Sequence, residues 1–112
     1  MALVSGQDAF SVELARIAAA ARHSNLSRAE QLRHALDRVQ DGGLEPEQVE
    51  RARRLAHQLA GSSGTLGHPA AVSPARLLES YFTPGSGIPD ATADEALAAV
   101  LAALQGQPDT TL

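Results

Sequence analysis

Few residues in this sequence have chemistry to offer. It has 112 residues, four histidines and no cysteine, so thiol nucleophiles, thiolate metal sites and disulfides are excluded at the outset. One histidine stands out by its neighbours. His57, in the stretch LAHQLAGSSGTLG from Leu55 to Gly67, is followed by Gly61 and then by Gly64. Offsets of four and seven residues put all three on one face of an α-helix. An exposed glycine inside a helix costs about 1 kcal/mol relative to alanine, so local stability does not select two of them there. What they offer is bare backbone beside an imidazole, open to a second protein and to a ligand or phosphoryl group that must reach the ring.

Competing chemistries fare worse. No two histidines have the i, i+4 spacing of a zinc-binding HExxH helix. No Ser and Asp fall into a triad with His57. GSSGTLG lacks the lysine that a phosphate-cradling P-loop needs after its last glycine. Arg51, Arg53 and Arg54 form a run able to bind anions, but such runs are more often a solvated helix face, here supported by Glu47 and Glu50 at helical spacing. His23, His34 and His68 are assigned to the surface or to caps. Ser62 and Ser63 are expected to give their hydroxyls to backbone or to neighbouring helices.

The elements that position His57 follow from composition and periodicity. Alanine and leucine dominate the apolar residues, and Phe10, Tyr81 and Phe82 are the only aromatics. Strand-type residues are sparse, so the expected class is all-α. A first helix is predicted from about Gln7 to Arg22, with Phe10, Leu14, Ile17, Ala18 and Ala21 on its apolar side and a stop near Asn25. A second opens on the capping box Ser27-Arg28-Ala29-Glu30, buries Leu32, Ala35, Leu36 and Val39, and ends at Gly42-Gly43. A third starts near Pro46 and continues to Leu66, with Gly67 as terminator. A fourth contains Ala75, Leu77, Leu78 and Tyr81, either kinked near Pro74 or preceded by a short turn. Thr83 to Gly87 is a loop. The last helix opens on Thr92-Ala93-Asp94-Glu95 and buries Leu97, Val100, Leu101 and Leu104. Residues 1–6 and 106–112 are expected to be frayed tails. The predicted architecture is a single-domain antiparallel up-down four-helix bundle, with the first helix packing as one of the four or capping them.

The third helix settles which way His57 points. With Val49 at zero and about 100° per residue, Ala52, Leu55, Ala56, Leu59, Ser63 and Leu66 share an arc of about 120° facing the core. Glu50, Arg53, Arg54, His57, Gly61 and Gly64 lie opposite. A lone surface histidine ordinarily has no role, and glycines ordinarily allow a neighbouring helix to pack closely. The angular count places these glycines away from the core, beside the histidine.

The segment from Ala56 to Gly67, AHQLAGSSGTLG, followed by Leu78-Glu79, resembles the histidine-containing phosphotransfer (HPt) domain, whose pattern is roughly A-H-x-L-K-G-S-S-x-x-L-G and then L-E. The specific match covers about a quarter of the chain. It implies that His57 accepts a phosphoryl group from the aspartyl phosphate of a receiver domain and passes it to another. A neutral imidazole nitrogen is a good nucleophile near pH 7. Gly61 is the position that leaves room for the phosphoryl group. Gly61, Gly64, Arg53, Arg54, Gln58 and Ala60 make up the expected docking surface. Many members carry lysine where this chain has Ala60, which leaves Arg53 and Arg54 as substitute cations.

The implied partners are response-regulator receiver domains and a hybrid histidine kinase. The receiver would supply Mg²⁺, so no cofactor or metal site of the chain's own is expected, and no nucleotide site is visible. An alternative reading is a non-catalytic helical module that docks on a receiver or kinase without phosphate exchange. A net charge of -4 argues against nucleic acid, and no apolar run approaches the roughly 20 residues of a membrane span. The start, MALVSGQDAF, lacks a signal peptide's basic and apolar segments. A cytoplasmic monomer is the expectation.

Overall fold

The computed structural model describes residues 6–106. No proline or further glycine interrupts the sequence between Gly6 and Gln40, and this whole stretch is one helix, α1 (Gly6–Gln40). The break expected at His23-Ser24-Asn25 does not occur. The first two predicted helices are therefore one, and Ser27-Glu30 lies inside it rather than starting a helix. Asparagine in a helix interior is only about 0.7 kcal/mol worse than alanine, and here its side chain is employed elsewhere. Asn25 is buried. Its Nδ2 donates to Ser62 Oγ at 3.1 Å and to Ser63 Oγ at 3.4 Å, and its Oδ1 accepts from Arg28 Nη1 at 2.7 Å. Alanine at this position strands both hydroxyls and the guanidinium. Chemical denaturation of Asn25→Ala is expected to show a loss of about 1–3 kcal/mol.

Gly42 and Gly43 end α1 in positive φ, with Gly43 N–H donating back to Arg38 O at 2.9 Å, which closes the helix as a C-terminal glycine motif does. The next helix, α2 (Pro46–Thr65), begins on its proline, where the missing N–H is no loss. Gln48 Oε1 accepts the Glu45 N–H at 3.0 Å. Gly67, at φ 102°, turns the chain out of α2.

A 3-10 turn, Pro69–Ala71, precedes α3 (Val72–Tyr81). Of the two arrangements open around Pro74, the short turn is the one found, and Pro74 sits in the first turn of α3 where it breaks no hydrogen bond. The last helix, α4 (Asp90–Gln105), starts two residues before the expected capping box. The N–H groups of Thr92 and Ala93 already donate to Pro89 O, so Thr92 is a first-turn residue and not a cap. Asp90 occupies the first turn instead, where a carboxylate suits the helix dipole. It accepts the Tyr81 hydroxyl at 2.6 Å. Burial and this neighbouring carboxylate raise the tyrosine pKa above its usual value.

Among the described residues there are thus four α-helices, one 3-10 turn and no strand. They close into a ring, α1 against α2 and α4, and α3 against α2 and α4. Leu32, Leu36, Leu59, Leu78, Leu97, Val100 and Leu104 fill the centre. Buried alanines on all four helices, Ala29, Ala52, Ala56, Ala75, Ala93 and Ala96 among them, let the backbones approach. The Arg22 Nε donates to Leu104 O at 2.6 Å, and Arg33 Nη1 meets Asp94 Oδ1 at 3.2 Å.

No separate N-terminal helix caps the bundle. The first half of α1 instead runs on beyond it, giving extents of 63 × 22 × 18 Å. Phe10, Leu14 and Ile17, read from sequence as the apolar side of a first helix, are exposed there. The predicted tails at 1–6 and 106–112 fall outside the described residues, except Gly6, which begins α1, and Gly106, which caps α4.

Candidate functional site

The helix α2 is flanked by α1 on one side and by α3 on the other, and its remaining face is open. Ala52, Ala56, Leu59 and Ser63 are buried as their angles require, while Leu55 and Leu66 are half-buried. His57 lies on the open face with 71% of its side chain exposed. Gln58, Gly61 and Arg54 are exposed beside it.

Two sequence assignments change once α3 is in place. Gly64 is exposed, but a Cβ there would stand 3.2 Å from Val72 Cγ2, whereas one on Gly61 would meet nothing within 4 Å. Gly61 alone is therefore bare on all sides, and Gly64 makes room for α3. Ala60 is only 5% exposed; it belongs to the core and offers no docking surface. The helical wheel gives directions about the axis of α2 but not how far α3 wraps around it. His68, expected at the surface or in a cap, is the N-cap residue of the 3-10 turn; it is buried there, and its Nε2 has no hydrogen-bond partner among the described residues.

A residue without an assigned role in the sequence completes the site. Glu79, on α3, places Oε2 at 2.9 Å from His57 Nδ1. Sequence reasoning found Glu79 only as part of the Leu78-Glu79 anchor, because the pairing spans 22 residues and two helices. The same oxygen lies 3.6 Å from Arg53 Nη1. Arg53 in turn forks onto Glu50, Nε to Oε2 at 2.8 Å and Nη2 to Oε1 at 2.6 Å. The hydrogen bond from Arg53 holds the Glu50 carboxyl below the usual carboxylate range, and the same contact raises the arginine. Arg53 is thus engaged by two carboxylates and is no free cation. Arg54 forms no ion pair among the described residues. It lines, with Arg53, His57, Gln58 and Glu79, an open depression of about 290 Å³.

The imidazole is therefore held from one side. Its Nδ1 faces a carboxylate, and its Nε2 has no partner among the described residues. A neutral ring with the proton on Nδ1 keeps its lone pair on Nε2. Such a site presents a single oriented nitrogen nucleophile, with one arginine nearby and clear space one turn further along the helix.

The Hpt domain family model matches residues 16–107. The chain belongs to the Hpt domain family. No curated protein and no solved structure matches it. Hpt domains are carriers in phosphotransfer rather than classical enzymes, and membership places the chain in two-component phosphorelay, where the family works with receiver domains and kinases. The matched segment takes in α2, α3 and α4 whole, together with α1 from Arg16 onward. Among the described residues of this Hpt domain, no helix is long and apolar enough to cross a membrane, and no three His, Asp or Glu side chains cluster as metal ligands.

Proposed function

We propose that this Hpt domain carries a phosphoryl group on His57, taking it from the aspartyl phosphate of a receiver domain and handing it to another. The observation that carries this reading is the His57–Glu79 contact at 2.9 Å on an otherwise open face. In the forward step His57 Nε2 attacks phosphorus, an N–P bond forms, and the P–O bond to the receiver's aspartate breaks with the electron pair leaving on that carboxylate. The Nδ1 proton stays in place, so the ring becomes cationic as the bond forms. Glu79 faces that charge. Arg54 is the cation of this chain that faces the incoming phosphoryl oxygens, in place of the lysine that Ala60 replaces. Magnesium and the acidic residues that bind it come with the receiver. Positioning and charge stabilisation are the main demands of phosphoryl transfer; Glu79 serves the first by holding the ring, and Arg54 serves the second.

The same reading takes the bundle as antiparallel and up-and-down. Contacts support this: Arg22 reaches Leu104, while Arg33 and Gln40 reach Asp94. It also places the domain in the cytoplasm, where receivers and kinase domains meet.

The test is to incubate the protein with a panel of phosphorylated receivers from the same cell and look for an acid-labile, base-stable phosphate. One specific observation favours the alternative, a docking module without exchange: Arg53 is sequestered and no lysine stands at position 60. Receiver binding without any labelling would select it.

Glu79 acts as a positioning residue. Glu79→Ala is expected to slow transfer roughly 10–100-fold, by analogy with the loss of the carboxylate that orients a metal-bound imidazole, with receiver affinity unchanged. Nitrogen-15 NMR of the His57 ring would show the shift between tautomers. An unchanged ring spectrum with an unchanged rate would remove Glu79 from the mechanism.

A further inference from the structure

Arg53 lies one turn before His57 on α2, and all three of its guanidinium nitrogens face carboxylates. Nε and Nη2 fork onto Glu50, which pins the side chain along the helix. Nη1 reaches the same Glu79 oxygen that faces His57 Nδ1. That oxygen is shared, 2.9 Å from the ring nitrogen and 3.6 Å from the guanidinium. Both flanking side chains are only partly exposed, Glu79 at 25% and Arg53 at 32%. The charged groups around the ring are Glu79 from α3, and Glu50, Arg53 and Arg54 from α2. The depression beside the ring is lined by these two helices alone.

We propose that Arg53 is a positioning residue that sets how long His57 holds its phosphate, by sharing the Glu79 oxygen with the ring. The inference rests on His57 being the phosphoryl carrier.

The link is the Nδ1 proton. When the phosphoryl group leaves, an oxygen of water or of a receiver's aspartate bonds to phosphorus. The N–P bond breaks and its electron pair returns to Nε2; an attacking water gives up a proton to solvent. With a proton on Nδ1, the departing ring is a neutral imidazole. Without it the departing ring is an imidazolate anion, a far poorer leaving group. Phosphate on histidine is therefore lost in acid and kept in base. An opposite charge nearby favours the charged form of a group, and a like charge opposes it. Glu79 thus favours the protonated, labile form of the phosphorylated ring. Arg53 opposes that form through the same oxygen. One residue readies the ring to release its phosphate and the other restrains the release.

The direction of each substitution follows. Removing the Arg53 charge lets the phosphorylated ring keep its Nδ1 proton to higher pH, which extends the labile range upward. A unit charge roughly 6 Å away in water at low salt is worth about half a pH unit. Above the midpoint of that titration the protonated fraction, and with it the rate of phosphate loss, should rise about threefold. Glu50→Gln should act in the opposite sense, because it removes a negative charge and frees Arg53 to close on Glu79.

The test loads the full chain with phosphoramidate, a small phosphodonor that needs no receiver. Phosphate loss is then followed by phosphorus NMR at low salt from about pH 5 to 9, with His57→Gln identifying the His57 resonance. Above the midpoint, Arg53→Gln should shorten the lifetime about threefold, and Glu50→Gln should lengthen it. Arg53→Lys keeps the charge without the fork and should recover most of the parent lifetime. All three variants should unfold with the parent, since neither residue belongs to the core.

The lysine variant separates charge from support. If Arg53 only propped Glu79, Arg53→Lys would be altered as Arg53→Gln is. That result overturns the proposal and leaves His57 as the carrier. So does an Arg53→Gln lifetime equal to or longer than the parent's, or a shorter one in Glu50→Gln. A parent chain that takes no phosphate on His57 instead removes the carrier reading, and this inference with it.

Discussion

His57→Gln is expected to fold, to bind the receiver and to carry no phosphoryl group. The substitution removes the only nitrogen nucleophile on the open face of α2 and leaves the core untouched, since the ring is 71% exposed and its one partner is Glu79. An exposed pair of this kind contributes about 0–1 kcal/mol, so the midpoint of unfolding should barely move. Transfer, by contrast, should fall to background, because the glutamine amide nitrogen is not nucleophilic. The measurement is phosphate incorporation from a phosphorylated receiver, followed by acid and base treatment and an unfolding curve on the same preparation. Labelling at the parent level would mean that the phosphate sits elsewhere. An unfolded variant would contradict the exposure of the ring.

Gly61→Leu is expected to block transfer while the isolated helix gains stability. A Cβ at Gly61 meets no atom within 4 Å, so nothing in the fold resists a side chain there. Replacing a helix-interior glycine by a good helix former gains about 0.5–1 kcal/mol. The same side chain, four residues beyond His57, projects over the space that the phosphoryl group and the receiver must enter. Displacing reacting atoms by even an ångström is expensive in rate, and a rate loss of at least about 100-fold is expected. Gly61→Ala should show the same gain in stability with a smaller loss of rate. The opposing signs make the prediction sharp. Loss of both stability and transfer would signal a packing role for Gly61, and retention of transfer would show that the space is not needed. Gly64 offers the contrast, since its Cβ would press on Val72.

The wheel of α2 was legible because its leucines and most of its alanines share one arc while its charged residues share the opposite one; His57, Gly61, Arg54 and Gln58 are all exposed as that wheel places them. What it could not carry is the third dimension. Glu79 meets His57 only because α3 lies against one flank of α2, and that flank also buries Ala60 and fills the space beside Gly64.

The helix ends misled for a different reason. Asparagine 25 and the Ser27-Glu30 and Thr92-Glu95 patterns are good terminal signals, yet each lies within a helix. Local preferences of a few tenths of a kcal/mol to about 1 kcal/mol give way when a side chain finds tertiary partners, as Asn25 does in Ser62 and Ser63, or when a neighbouring proline starts the helix earlier, as Pro89 does.

The buried amide of Asn25 also acts as a vernier mark. Along their contact α1 and α2 present little but alanine and leucine, Ala29, Leu32 and Leu36 against Ala52, Ala56 and Leu59, and a slide of one helical turn, about 5.4 Å, would exchange one such pair for another at small loss. Sliding α1 by that amount would bring Asn25 opposite Leu59 or Leu66 instead of the two hydroxyls, stranding its amide at about 1–3 kcal/mol. Polar groups buried in otherwise uniform seams select one alignment from several of near-equal energy. The two serines that follow Gly61 therefore serve as a reference point for axial alignment, and they tie the helix that bears His57 to a single setting against the longest helix of the fold.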